Sequence, residues 1–271
     1  MKAALTRWGL RFILLIITLV FVYPFAWMFF SGFKSNLEIY RPLQLLPESF
    51  RAEYYRGLFS GEWLHYGTVY GNSFLIAMGQ ALGAVLLASM CGYVFAKCPL
   101  RGKPAWFMLT LLVILIPKQV IALPLFTWIQ RIHLYDSLLG VVLPGIVSGV
   151  GVLFFTLAFR QVPDALLEQA RVEGASEFRI YWTVLPLMNS ALLTFGLIHF
   201  ILSWHEHLIP LLILHEHVTL PLAMSSLQSS GLRFPQAIIM CASTLTILPT
   251  ALIFALLYRR TRSALAELMA T

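Results

Sequence analysis

Six apolar runs, near residues 11–31, 70–96, 105–127, 138–159, 187–213 and 235–258, divide this chain of 271 residues. Each has about the 20 residues that a helix needs to cross a hydrocarbon core of roughly 30 Å. Lipid offers the backbone no hydrogen-bond partners, so such runs must satisfy their own amides and carbonyls. The pattern therefore predicts an all-α, polytopic membrane protein with six transmembrane helices. Charged residues make up only 11% of the chain, where an ordinary soluble domain carries roughly 25%. The first run follows Lys2, Arg7 and Arg11 but is longer than the apolar region of a signal peptide. Pro24, Phe25 and Trp27 occupy its end in place of a small-residue cleavage site, so it reads as a retained helix.

Basic residues resist translocation and collect in loops left in the cytoplasm. With both termini inside, the inner segments hold Lys2, Arg7, Arg11, Lys97, Arg101, Lys103, Arg160, Arg171, Arg179, Arg259, Arg260 and Arg262. Facing them are only Asp164, Glu168, Glu173, Glu177 and Glu267. The first outer loop, 32–69, balances Lys34, Arg41, Arg51 and Arg56 against Glu38, Glu48, Glu53 and Glu62. It has no strong period and is expected to lie along the membrane surface. The net charge of +7 thus reads as orientation in a bilayer. No polar stretch interleaves basic residues with stacking aromatics, which argues against nucleic acid as a partner. Cys91, Cys98 and Cys241 have neither disulfide nor metal-ligand spacing and read as buried small apolar residues. The organisation expected is an N-terminal helix and outer loop over 1–69, a five-helix core over 70–260, and a cytoplasmic tail over 261–271.

One inner segment, 160–186, interrupts the apolar pattern. Pro163 suits a first helical position, Asp164 sets a carboxylate at the positive helix end, and "DALLEQARVE" consists almost entirely of good helix formers. Gly174 supplies a left-handed stop, and Ser176 caps a second short helix, "EFRIYWTVL", expected to end at Pro186. On the first helix Leu166, Ala170 and Glu173 share one side, with Leu167 and Arg171 beside it. Periodicity alone leaves two readings, a solvated connector or an elbow that another protein grips.

The segment resembles the EAA coupling loop of ABC importer permeases, with Glu168, Ala170, Gly174, Val184, Leu185 and Pro186 matching its pattern. Gln169 replaces the first Ala, and Pro186 comes one residue early. "FFTLAFRQVPDALLEQARVEGAS", "LIPKQVIALPLFTWIQRIHLYDSLLGVVLP" and "SWHEHLIPLLIL" followed by "TLPLAMSSLQ" extend the resemblance over about 65–260. The chain is similar to the second permease subunit of carbohydrate importers of the maltose and glycerol-phosphate type. The resemblance implies a type I ABC importer permease fold in a bacterial cytoplasmic membrane. It also implies three partners: a second homologous permease, a cytoplasmic ABC ATPase dimer and an external solute-binding protein. The first helix would wrap the partner permease while the other spans form the core. Glu168 would anchor the loop in the ATPase by charge, Ala170 and Ala175 would pack closely, and Gly174 and Ser176 would make the turn. The chain has no Walker-type sequence, so ATP and Mg would be used by the partner, with no cofactor bound here and no enzyme activity of its own.

Polar residues inside spans are expensive and are candidates for the solute path. They are Asn72 in the second span, Lys118 and Gln119 near the outer end of the third, and Trp204, His205 and Glu206 in the fifth. Ser73, Gln80 and His199 are further polar positions, with helix-helix hydrogen bonding the favoured role for His199 and Glu206. The cargo expected is a sugar, oligosaccharide or polyol phosphate, the alternative within the same class being a non-sugar solute. The repeated His-Glu-His at 205–207 and 215–217 raises a metal transporter as a rival, but residues two apart on a helix point to nearly opposite sides and chelate poorly. An ion-coupled secondary transporter is the other rival, set against Glu206 as the single mid-span acid.

Overall fold

The computed structural model describes the backbone of residues 2–61, 65–229 and 235–270, and side chains over 8–61, 65–229 and 235–255. Lys2, Arg7, Arg259, Arg260, Arg262, Glu62 and Glu267, used above to argue orientation, lie outside the described side chains. The helices run α1 (Lys2–Ser31), α2 (Asn36–Ile39), α3 (Glu53–Ser60), α4 (Tyr66–Lys97), α5 (Lys103–Leu115), α6 (Lys118–Arg131), α7 (Leu138–Gly145) and α8 (Gly149–Arg160). They continue as α9 (Asp164–Val172), α10 (Glu177–Val184), a 3₁₀ turn (Leu185–Met188), α11 (Asn189–Trp204), α12 (Leu208–Ile213), α13 (Leu220–Ser229) and α14 (Gln236–Ala270).

Among the described residues four stretches are long and apolar enough to cross a membrane: Trp8–Ser31, Tyr66–Lys97, Glu177–Trp204 and Gln236–Ala255. The expected third and fourth spans are each broken. α5 and α6 meet at 99°, and α7 and α8 at 46°, so the count reaches six when each bent pair is one span. Ile116 and Pro117 leave the helical region at the first break, and Pro117 has no amide to continue the ladder. Serine caps restart the chain: Ser137 Oγ accepts from the Gly140 amide at the start of α7, and Ser148 Oγ from the Gly151 amide at the start of α8, each at 3.1 Å.

The fifth span also differs from expectation. The elbow's second helix ends at Val184, just before Pro186 as expected, but the chain does not break there. Pro186 sits at the start of a 3₁₀ turn, where its missing N–H is not needed, and that turn leads directly into α11, so that Glu177–Trp204 is one helical stretch long and apolar enough to cross a membrane. The crossing then stops at Trp204, leaving His205 and Glu206 in a break before α12 instead of inside the span.

The chain divides into two compact units. In the unit formed by Val69–Leu222, α4 approaches α7 closely. The small-residue pair on α4 serves close packing: a Cβ on Gly83 would lie 2.5 Å from Ile146 Cγ2, and one on Gly79 3.3 Å from Val142 Cγ1. In the unit formed by Met1–Thr68 and Ala223–Thr271, α14 packs against α1, α2 and α3. The outer loop there is folded, where the sequence showed no period. Ser35 and Glu38 form a capping box on α2, and the Glu48 amide donates to Glu38 at 2.9 Å. Lys34 is fully buried, bonded to the Gln44 carbonyl and set over the Trp27 ring. Of the cysteines expected inside, Cys241 is buried, Cys98 half-buried and Cys91 exposed on α4.

Candidate functional site: the elbow and the cavity of the core unit

The elbow is a helix, a left-handed turn and a second helix. Its hinge residue, Gly174, has φ +80°, a region that side-chain-bearing residues rarely adopt, and its amide donates to Arg171 O at 3.0 Å. The Ala175 amide closes the turn on Ala170 O, also at 3.0 Å. Ser176 Oγ accepts from the Arg179 amide at the start of α10. These local features are those the sequence predicted, except that Pro163 precedes the first helical residue instead of occupying it.

Tertiary packing then fixes the elbow's inner face. Leu167 is 1% exposed, in a cluster with Tyr93, Phe155, Phe159, Ile180 and Tyr181, and burial of such a side chain contributes roughly 1.5–3 kcal/mol. Ala170 and Ala175 are partly buried against the same cluster, so their small side chains serve the chain's own packing as well as any partner. The outer face is Leu166, Glu168, Gln169 and Val172, with Val172 89% exposed. No salt bridge involves the exposed Glu168 among the described residues.

Charge ties the elbow to the end of α4. Lys97 Nζ donates to Val162 O and to Asp164 Oδ1, each at 2.6 Å, and its side chain is only 6% exposed. The bond to Lys97 holds the Asp164 carboxyl below the usual carboxylate range. Arg171 Nε donates to Glu177 Oε1 at 2.8 Å, which raises the guanidinium further above its ordinary value. Burial, reinforced by the neighbouring Glu177, pushes the Cys98 thiol up to about 11, so it is no thiolate at neutral pH. In the sequence Lys97 reads only as an inner charge, and Arg171 as an inner charge beside the Leu166 and Ala170 side of the first helix. The available signal was the spacing of Ser89, Tyr93 and Lys97, polar residues four apart on an otherwise apolar helix.

The second feature is a cavity of about 280 Å³ lined by Gln80, Lys118, Glu206, the end of α5 and the Pro144–Val150 break. Lys118 Nζ, at the start of α6, pairs with Glu206 Oε2, and the Leu208 amide donates to Glu206 Oε1 at 3.2 Å. Glu206 is mostly shielded, with 13% of its side chain exposed, while Lys118 is 65% exposed. Gln80 Nε2 donates to Val141 O at 2.9 Å, and His199 Nε2 lies 3.0 Å from Gly145 O, the helix-helix bond expected of it.

The other candidates are not brought to the cavity wall. Asn72 Nδ2 donates to Val218 O at 3.1 Å. Gln119 is exposed beside Lys118, and His205 caps α11 at the surface. Trp204 is buried between Tyr70 and Phe200, at 5.1 and 5.7 Å between ring centroids, a packing position with no open face for a sugar ring. The second His-Glu-His is a capped turn: Asp136 Oδ1 accepts from the amides of His215, Glu216 and His217, at 2.8, 3.0 and 3.4 Å. Those bonds, the His215 amide first, hold the Asp136 carboxyl below its usual range. Among the described residues no group of three His, Cys, Asp or Glu side chains is placed to hold a metal ion.

The sequence profile described as "Binding-protein-dependent transport system inner membrane component" matches residues 84–263. The arabinooligosaccharides transport system permease protein AraQ of Bacillus subtilis is 31% identical over 255 residues, covering 92% of this chain and 90% of that protein. The sn-glycerol-3-phosphate transport system permease protein UgpE of Pectobacterium atrosepticum is 29% identical over 259 residues, covering 89% of each. The probable starch degradation products transport system permease protein AmyC of Thermoanaerobacterium thermosulfurigenes is 26% identical, covering 97% of each. A chain in the crystal structure of a bacterial ABC transporter involved in import of the acidic polysaccharide alginate shares the fold, with a TM-score of 0.79 at 17% identity. That match covers 95% of this chain and 97% of the other.

Proposed function

This chain belongs to the family of inner membrane components of binding-protein-dependent transport systems, and we propose that it is the permease subunit of an ATP-driven carbohydrate importer. It forms half of the translocation path, and a second homologous permease forms the rest. A cytoplasmic ATPase dimer grips the elbow, consumes ATP with Mg, and turns the spans between inward and outward access. An external solute-binding protein delivers the cargo. The elbow, both termini and the α4–α5 connection face the cytoplasm. The observation that carries this reading is the elbow's division of labour: Leu167 and the alanines face the chain's own core, while Glu168 and Val172 are presented outward. A rigid element seated in a partner's groove transmits displacement without slack. The Lys97–Asp164 bond supports the orientation, since it joins two segments that the distribution of basic residues independently assigns to one side.

The cargo passes Lys118, Glu206 and Gln80, the polar side chains of the cavity wall, while Asn72, Gln119, Trp204 and His205 lie off that wall. Lys118 is already neutralised by Glu206, so the cavity offers paired donors and acceptors instead of an unmatched positive charge. That arrangement suits the hydroxyls of a neutral oligosaccharide better than a phosphate ester, and among the relatives it favours the arabinooligosaccharide and starch-product permeases over the glycerol-3-phosphate one.

The test is uptake by the complete importer of a labelled panel of arabinotriose, maltotriose and glycerol 3-phosphate. A neutral oligosaccharide is expected to enter in an ATP-dependent manner, and Glu168→Lys to abolish that uptake while the chain remains inserted in the membrane. Normal transport by Glu168→Lys contradicts the coupling role. Exclusive uptake of glycerol 3-phosphate contradicts the choice of cargo.

A further inference from the structure

Ser89, Tyr93 and Lys97 lie four residues apart on α4 and therefore share one face of it. All three reach the elbow. Ser89 Oγ is 2.8 Å from Tyr181 Oη on α10, Tyr93 Oη donates to Glu177 Oε2 at 2.7 Å, and Lys97 Nζ binds Val162 O and Asp164 at the start of α9. The elbow bonds back from the end of α9, where Arg171 Nη2 donates to Lys97 O at 3.0 Å and Arg171 Nε to Glu177. Both ends of α9 and the first turn of α10 are thus fastened to the last turns of α4, although the chain itself joins the elbow only to α8 and α11. All but the neutral Ser89–Tyr181 pair are charge-assisted, a kind of bond stronger than neutral ones, and the Lys97 side chain is almost wholly enclosed. The same helix carries Gln80 into the cavity wall, about 25 Å away at 1.5 Å of rise per residue.

We propose that α4 is the rod that receives the elbow's displacement and carries it to the cavity, with Lys97, Glu177 and Arg171 as the positioning residues that make the joint. A purely apolar contact between α4 and the elbow would let one slide past the other, whereas this seam fixes axial register at three levels. The inference rests on the reading that a partner ATPase drives the elbow, and it adds which span is driven.

The experiment uses the whole importer, with its own ATPase, second permease and binding protein, reconstituted in proteoliposomes. Solute uptake and ATP hydrolysis are measured on the same sample, with whichever of arabinotriose, maltotriose or glycerol 3-phosphate the wild type carries. Lys97→Met keeps the aliphatic stem and removes the ammonium. It is expected to lower solute moved per ATP by about tenfold while hydrolysis stays within about twofold, a size within the range of coupling energies carried by single contacts. Lys97→Arg is expected to retain the wild-type ratio. Glu177→Arg is expected to uncouple as Lys97→Met does, and adding Arg171→Glu to restore part of the loss.

Wild-type yield per ATP in Lys97→Met overturns the inference. So does a parallel fall of uptake and hydrolysis, which locates the defect at the ATPase. Loss of assembly in Lys97→Met and Lys97→Arg alike also overturns it, by making the seam a folding element only. If the wild-type importer moves solute without its ATPase, the proposed function itself fails; if the wild type is ATP-driven and Lys97→Met is unchanged, only the rod assignment fails.

Discussion

The elbow and the break around Lys118 are both interruptions of the apolar pattern, and they are held in opposite ways. The elbow is fixed many times over: Leu167 in a buried cluster, a left-handed glycine, a serine cap, and charged bonds to α4 at each end of α9. The junction of α5, α6 and α12 has no buried residue on α5, a 99° bend at Ile116–Pro117, and one exposed lysine pairing with Glu206. Redundancy suits an element that must transmit force, and a single ion pair suits one that must open for a solute. Substitutions in the elbow should therefore be severe and coupled, and those at the break mild in stability but visible in selectivity.

Gly174→Pro should have the largest effect. Proline fixes φ near −65° where the turn needs +80°, and it removes the amide that donates to Arg171 O, a cost of about 3 kcal/mol or more. Uptake is expected to fall to background with the spans still inserted, as read by transport and membrane fractionation; normal uptake would break the contrast at its strongest point. Leu167→Ala should come next, destabilising the detergent-solubilised chain by about 2–5 kcal/mol because it leaves a cavity in that buried cluster. Thermal unfolding checks it, and a change within error would mean that the elbow is not packed as described.

Acid sharpens the comparison on the other side. The Asp136 carboxyl is held below its usual value of 3.8 by the three amides of 215–217, so its contribution is present above that pH and is lost as pH falls through the lowered value. The melting temperature of Asp136→Asn should therefore lie below that of wild type at pH 7, and the gap should narrow as the pH falls below about 3.8 towards the lowered value. A gap that persists into acid would deny the carboxylate its role. Smallest in stability is Glu206→Gln, since a pair with so exposed a partner is worth about 0–1 kcal/mol. Its effect should appear as improved competition by anionic solutes for uptake, because Lys118 is then left unneutralised.

Sequence made the local parts of the elbow legible, because Gly174, Ser176 and the run of helix formers act through their own backbone. The seam to α4 was not legible, since Lys97 and Asp164 are brought together by packing and a polar residue every fourth position is easily taken for ordinary relief in a span. Pro117 and Pro186 show how little a proline settles alone. The first lies at a sharp break and the second within a continuous crossing, the difference being whether the chain on either side can restart without its amide. The outer loop carried one readable signal, Ser35 with Glu38 three residues on, but its buried lysine depends on the tertiary fold.

Labelling with a membrane-impermeant maleimide decides the orientation on which coupling depends. Glu168→Cys would be introduced with Cys91, Cys98 and Cys241 replaced by alanine, and probed in intact cells and in inverted vesicles. An elbow that meets a cytoplasmic ATPase is unlabelled in intact cells, is labelled in inverted vesicles, and becomes protected when the ATPase is present. Labelling of Glu168→Cys from outside intact cells would contradict it.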